Sequence, residues 1–163
     1  MTVGSKLLVR CSRCGKCCEE TEMELSSNDI ERLEKAGYRR NEFTVTEDGA
    51  TRLRNINRMC FFYNPTDKKC RVYRKRPLGC HIYPVAHLAN EGATIDELCP
   101  MGHTISKQEL RTKAKTLIKL LKKIDNERAH ATINHQRKPA QKEPQQTKKS
   151  KPEKNGAKLK SPR

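Results

Sequence analysis

Residues 11–18 read CSRCGKCC, which places the thiols of Cys11, Cys14, Cys17 and Cys18 within eight positions. Sulfurs at that density suit a shared ligand better than ordinary packing. The rest of the chain offers little else to hold a fold together. Of its 163 residues 34% are hydrophobic, with three Phe, four Tyr and no Trp, so the core is expected to be small. A compact segment poor in apolar side chains is stapled by disulfides or by metal ions, and eight cysteines supply the means for either.

The choice between the two depends on compartment. No apolar stretch of the ~7 residues that a secretory signal needs precedes the first cysteine, and no run approaches the ~18 residues of a membrane span. A cytoplasmic location is therefore expected, where thiols stay reduced and clustered cysteines bind metal more often than they pair.

Charge divides the chain. Residues 1–104 carry 17 basic and 14 acidic side chains, net +3; 105–136 carry 8 and 3, net +5; 137–163 carry 10 and 2, net +8. The last stretch is rich in Lys, Pro, Gln and Ser, and Leu159 is its single large aliphatic residue. It cannot bury enough surface to offset its ordering entropy and is expected to be disordered. The expected organisation is a cysteine-cluster metal-binding domain over 1–104, an amphipathic basic helix over 105–136 and a disordered Lys/Pro-rich tail over 137–163. In fold class this is a small α+β metal-stapled module of short strands and helices, followed by one helix and a tail.

Local signals place the elements. Ser26 and Asp29 form a capping-box pattern that opens a short helix, with Ile30 and Leu33 facing inward and Gly37 as stop signal. FTVT and TRLRNI flank Asp48-Gly49 with period-two alternation, a hairpin signal; CFFY and CRVY flank a polar turn with Asn64, Pro65 and Asp67. Ser106 and Glu109 form a second capping box. Leu110, Ala114, Leu117, Leu121 and Ile124 then follow as one apolar seam, with Ile118 beside it. That seam is expected to dock onto the cysteine module; a short dimer interface is the alternative, since little more than two heptads is meagre for a free coiled coil.

The C-x-x-C-G-x-C-C run from Cys11 to Cys18, followed by C-x-F-Y…C-x-V-Y-x-x-R-P-x-x-C-x-x-Y-P from Cys60 to Pro84, resembles the YkgJ-like cysteine-cluster family, a zinc- or iron-chelating domain. The resemblance covers roughly residues 8–104. It implies metal or iron–sulfur binding, and one branch of the family, the flagellin lysine N-methylases, implies a place in a protein-modifying enzyme.

Spacing suggests how the ligands divide. Cys11, Cys14 and Cys17 step by three along a tight loop, so three thiolates can converge while N–H groups freed by Gly15 point at the sulfurs. Cys99, followed by Pro100, is the candidate fourth ligand, because bacterial ferredoxins combine such a triple with a distant Cys-Pro. Cys18 would then join Cys60, Cys70 and Cys80 in a second centre. One four-iron (4Fe-4S) cluster plus spare thiols fits nearly as well, and Cys60 and Cys70 read alternatively as a disulfide across a hairpin. All eight are metal-ligand candidates. An iron–sulfur cluster is favoured and zinc is the alternative, since all-thiolate tetrahedral sites suit both. Arg10, Arg13, Lys16, Arg71, Arg74, Lys75 and Arg76 would compensate the negative charge of either.

His81, His87 and His103 lie near the cysteines but read as polar structural residues, and His130 and His135 as solvent-facing. Tyr63, Tyr73 and Tyr83 each follow a cysteine by three positions and read as core residues with a hydrogen-bonded hydroxyl. No hydrolase triad, phosphate loop, H-E-x-x-H or dinucleotide fingerprint is present, so local motifs support no enzyme class and no catalytic residue. Two functions remain: a redox or electron-transfer protein with an unidentified redox or protein partner, and a zinc-stabilised module whose basic helix and tail bind nucleic acid.

Overall fold

The computed structural model describes residues 11–136, with side chains through 133. The expected disordered tail and Arg10 lie outside the described residues. Four two-stranded antiparallel hairpins and four helices make up the rest.

Helix α1 (Ser27–Glu34) begins where the sequence says it should. The Ser26 hydroxyl accepts from the Asp29 amide while the Asp29 carboxylate accepts from the Ser26 amide, a reciprocal cap. Ile30 and Leu33 turn inward, and Leu33 is fully buried. A single turn, α2 (Arg40–Phe43), leads into β1 (Thr44–Glu47), which pairs with β2 (Ala50–Leu53) around Asp48 and Gly49. Both turn residues have positive φ, 50° and 74°, as a two-residue hairpin loop matched to strand twist requires.

The next two hairpins depart from the expected strands. β2 stops at Leu53, and Asn55–Ile56 form β3, paired with β4 (Met59–Cys60) around Asn57 and Arg58, again both at positive φ. CFFY is therefore split: Cys60 closes β4, whereas Tyr63 opens β5 (Tyr63–Asn64), which pairs with β6 (Lys69–Cys70). Cys70 faces Tyr63, so Cys60 and Cys70 do not sit opposite each other in one hairpin, and all eight cysteines are free thiols. The disulfide reading of that pair fails because a second tight turn, invisible to period-two counting, moves Cys60 into the preceding ladder.

Helix α3 (Leu78–Ile82) follows, then the hairpin of β7 (Val85–Leu88) and β8 (Gly92–Ile95) and the long α4 (Lys107–Gln136). The Ser106–Glu109 cap is present: the Glu109 amide donates to Ser106 Oγ at 3.2 Å, and the Ser106 amide donates to the Glu109 carboxylate at 3.0 Å. Helix α4 packs on α3, β7 and β8, as the docking reading expected, but its buried line is Lys113, Leu117, Leu120 and Ile124. The face is rotated from the expected seam. Ala114, Ile118 and Leu121 are half-buried, and Lys113 takes a core position.

Two apolar clusters result. Leu25, Ile30, Leu33, Phe43, Leu53, Phe62 and Val72 form the first, with Cys60 buried among them and Cys18, Cys70 and Cys80 packed against it; Ile82, Val85, Leu117, Leu120 and Ile124 form the second. Farther along α4, Glu127 accepts from the Ser27 amide and hydroxyl, and Arg128 pairs with Glu24 at 3.0 Å, so one helix clasps both clusters.

Candidate metal centre

Cys17 and Cys18 lie in a 3-10 turn, Lys16–Cys18, entered through Gly15 at φ 83°. A Cβ at Gly15 would lie 2.7 Å from the Tyr63 hydroxyl, so the ring of Tyr63 closes directly over the turn. Cys11 and Cys14 precede it on exposed loop. The other four thiols arrive from separate elements: Cys60 from β4, Cys70 from β6, Cys80 from α3, and Cys99 from the turn before Gly102.

These thiols feel one another. Cys99 is raised first by burial and then by the negative charge of Cys14, Cys17 and Cys11. Cys80 is raised by burial and then by Cys60, Cys17 and Cys70. Burial pushes Cys60 up to about 11, with Cys70 and Cys17 contributing, and it also raises Cys70. Cys17 and Cys18 share a hydrogen bond. It pulls Cys17 down to about 7, against burial, and it is the largest cause of the upward shift of Cys18, aided by burial and by Cys17, Cys60 and Cys70. The vicinal pair therefore loses its first proton far more readily than its second.

A local geometry recurs. The Arg13 amide donates to Cys11 Sγ at 3.3 Å. The Phe62 and Tyr63 amides act on the Cys60 sulfur, the Val72 amide on that of Cys70 and the Met101 amide on that of Cys99, each offsetting part of the upward shift that burial causes. In four places, then, the N–H two residues on acts on a sulfur, at Cys11 as a hydrogen bond of 3.3 Å. Hydrogen bonds of this kind favour thiolate over thiol, and amides aimed at sulfur also tune bound clusters.

Of the basic residues that the sequence offered as compensation, Arg76 is the buried one, 9% exposed. Its guanidinium donates to the carbonyls of Cys80 (3.1 Å) and Tyr73 (3.2 Å) and lies over the Tyr73 ring at 4.0 Å. Its charge lowers Cys17, Cys70 and Cys80. Arg13, Lys16, Arg71, Arg74 and Lys75 are exposed. Tyr73, expected in the core, instead lies at the surface under Arg76, because stacking on a cation needs no burial.

Two supporting residues, Arg32 and Lys113, carried no sequence signal, and Asp29 does more than cap its helix. The Asp29 carboxylate, 1% exposed, accepts from the Leu78 amide at 2.9 Å and pairs with Arg32 at 2.6 Å, and Arg32 also donates to the carbonyls of Lys75 and Arg76. Helix α1 thus holds the segment that delivers Arg76 and Cys80. From the other side the Lys113 ammonium, 4% exposed, reaches the carbonyls of Ile82 (3.0 Å), Tyr83 (3.4 Å) and His81 (3.5 Å), the open C-terminal end of α3. Tyr83 Oη is buried with no hydrogen bond of good geometry, and burial raises its pKa first, then the Asp96 carboxylate beside it, then the more weakly felt Cys17 and Cys99. His81 is held below its ordinary pKa by burial, and His103 and His130 are exposed.

Soft thiolates suit zinc and iron, and eight free sulfurs, four of them acted on by backbone amides, are a donor set that fits either. Among the described residues, no three Cys, His, Asp or Glu side chains already stand as a metal cage. Cys11, Cys14 and Cys17 are exposed, Cys60 is buried, and Cys18, Cys70, Cys80 and Cys99 are half-buried.

Fold and site together define a thiol-rich chelating module stitched from short hairpins. The chain belongs to the CxxCxxCC family, described as "Putative zinc- or iron-chelating domain", which matches residues 10–100. It binds metal; zinc and iron are both within that description. An uncharacterized protein of Methanocaldococcus jannaschii is 27% identical over 90 residues, 50% of this chain and 47% of that protein. The chain thus spans about half the length of that relative. No solved structure matches.

Proposed function

We propose that the module holds an iron–sulfur cluster and serves as a redox or electron-transfer centre, with Cys11, Cys14, Cys17 and Cys99 as its ligands. Cys18, Cys60, Cys70 and Cys80 form a second thiolate group beside it. The observation that carries the reading is the gathering of Cys18, Cys60, Cys70 and Cys80 about one apolar cluster, with the Arg13 amide bonded to Cys11 Sγ and backbone amides acting on Cys60, Cys70 and Cys99. The charges of Cys14, Cys17 and Cys11 that act on Cys99 support the first ligand set, and Cys17, which also acts on Cys60, Cys70 and Cys80, lies nearest the second.

When bound, such a cluster supplies one-electron chemistry. The chain's own contributions are distinct. Arg76 places one buried positive charge beside the sulfurs, and backbone amides act on four of them. The test is anaerobic purification followed by iron, sulfide and zinc analysis with visible and EPR spectra. Stoichiometric iron and sulfide, with absorption near ~400 nm that bleaches on reduction, is the expected result. Colourless protein containing zinc alone would overturn it.

A further inference from the structure

The outer face of α4 has a charge pattern that the metal centre does not use. Lys107, Arg111, Lys115, Lys119 and Lys122 follow at spacings of four, four, four and three, and all are exposed. At 3.6 residues per turn they fall within an arc of about 120°, opposite the buried line of Lys113, Leu117, Leu120 and Ile124. The stripe is about 22 Å long at 1.5 Å per residue. Among the described residues none of the five forms an ion pair; the helix's pairs use Lys123 and Arg128 instead. Glu109 and Glu127, two of the helix's three acidic residues, are engaged with Ser106 and with Ser27 and Lys123. Five like charges in register cost the isolated helix some stability, so packing on α3, β7 and β8 holds them in line.

We propose that this stripe is a docking surface for the phosphate backbone of a nucleic acid, read without regard to sequence. A straight row of cations about 6 Å apart on a rigid, docked helix complements a linear polyanion with closely spaced charges. A membrane surface fits less well. A helix lying in a lipid interface sinks an apolar face into it, and the apolar face of α4 is already covered by Ile82, Val85 and Ala93. The surface lies outside the cysteine ligands, so it stands or falls independently of the cluster.

The test is fluorescence anisotropy of the full chain with a 20-base-pair DNA duplex and a 20-nucleotide RNA across a salt series. The comparison is between native protein, the stripe variant K115Q/K119Q/K122Q and the control variant K35Q/K68Q/K69Q, which loses the same charge elsewhere on the surface. Each phosphate contact contributes a salt slope of about 0.9 on duplex and about 0.7 on single strand. The stripe variant should therefore lose about 2.7 of the duplex slope and up to about 500-fold in affinity at ~0.1 M salt, with the control much less affected. Circular dichroism and metal content should be unchanged in both variants. Equal losses in the two variants, no loss in the stripe variant, or native binding to phosphatidylserine vesicles but not to either nucleic acid would each overturn the proposal.

Discussion

Replacing Gly15 by Ala places a methyl group at the tightest point of the cysteine loop. Two costs combine. Gly15 sits at φ 83°, where an L side chain costs about 1–2 kcal/mol. The new Cβ would also lie 2.7 Å from Tyr63 Oη and 3.0 Å from Cζ, so it falls 0.7 Å short of the 3.4 Å at which ordinary contact begins. Overpacking of this kind costs about 1–3 kcal/mol, and the two together come to roughly 2–5 kcal/mol. The ring of Tyr63 is carried by β5, so the loop is the partner that yields. A loop displaced by several tenths of an ångström exceeds the ~0.2 Å tolerance of metal–ligand distances. G15A should therefore lose at least tenfold in metal affinity, about 1.4 kcal/mol, while the far hairpin and α4 stay folded. The assay is metal content and chelator competition on G15A, Y63F and G15A/Y63F. Removing the hydroxyl should return part of the loss, because Cζ remains close while Oη is gone. Full metal loading in G15A, or a double variant no better than the single, would refute the steric argument.

Lys113→Met removes an ammonium that serves the carbonyls of Ile82, Tyr83 and His81, only one of them at 3.0 Å. Burial holds the lysine below its ordinary pKa, so relief of desolvation offsets part of the loss and a net destabilisation of about 1–2 kcal/mol is expected; an unchanged thermal midpoint would count against the cap. Asp29→Asn removes the ion pair of Arg32, which keeps its bonds to the Lys75 and Arg76 carbonyls, and weakens the acceptor for the Leu78 amide, at a cost of about 1–2 kcal/mol, and proteolysis should then open the chain around residues 73–80 first. Burial holds Cys60 at about 11, and Cys70, Cys80 and Cys99 also above their ordinary 9.0, so at neutral pH these sulfurs carry protons that a metal must displace. Metal affinity should accordingly rise with pH and fall as pH drops from 8 to 6, by about tenfold per pH unit for each proton displaced; zinc titration in competition with a chelator, alongside proton release, measures it, and pH-independent affinity would be inconsistent with these thiols being ligands.

Much of the molecule was legible because its signals are local. The caps at Ser26 and Ser106 rest on bonds between residues three apart, and the Asp48-Gly49 hairpin rests on two residues that tolerate positive φ. The family resemblance likewise lay in cysteine spacing, and it is the same segment that the family matches. Where a second local signal was missed, at Asn57-Arg58, the consequence was a strand split in two and Cys60 assigned to the wrong ladder.

Three outcomes had no local cause and waited on the packed chain. Helix periodicity offers a broad apolar arc, and the exact face that α4 buries was settled when the carbonyls at the end of α3 made room for the charge of Lys113. Of several arginines equal on paper, Arg76 became the buried cation because α1, through Asp29 and Arg32, fixes the segment that carries it. Cys18, Cys60, Cys70 and Cys80 come from four different elements to one apolar cluster, a placement that depends on how hairpins and helices stack and that spacing along the chain does not encode.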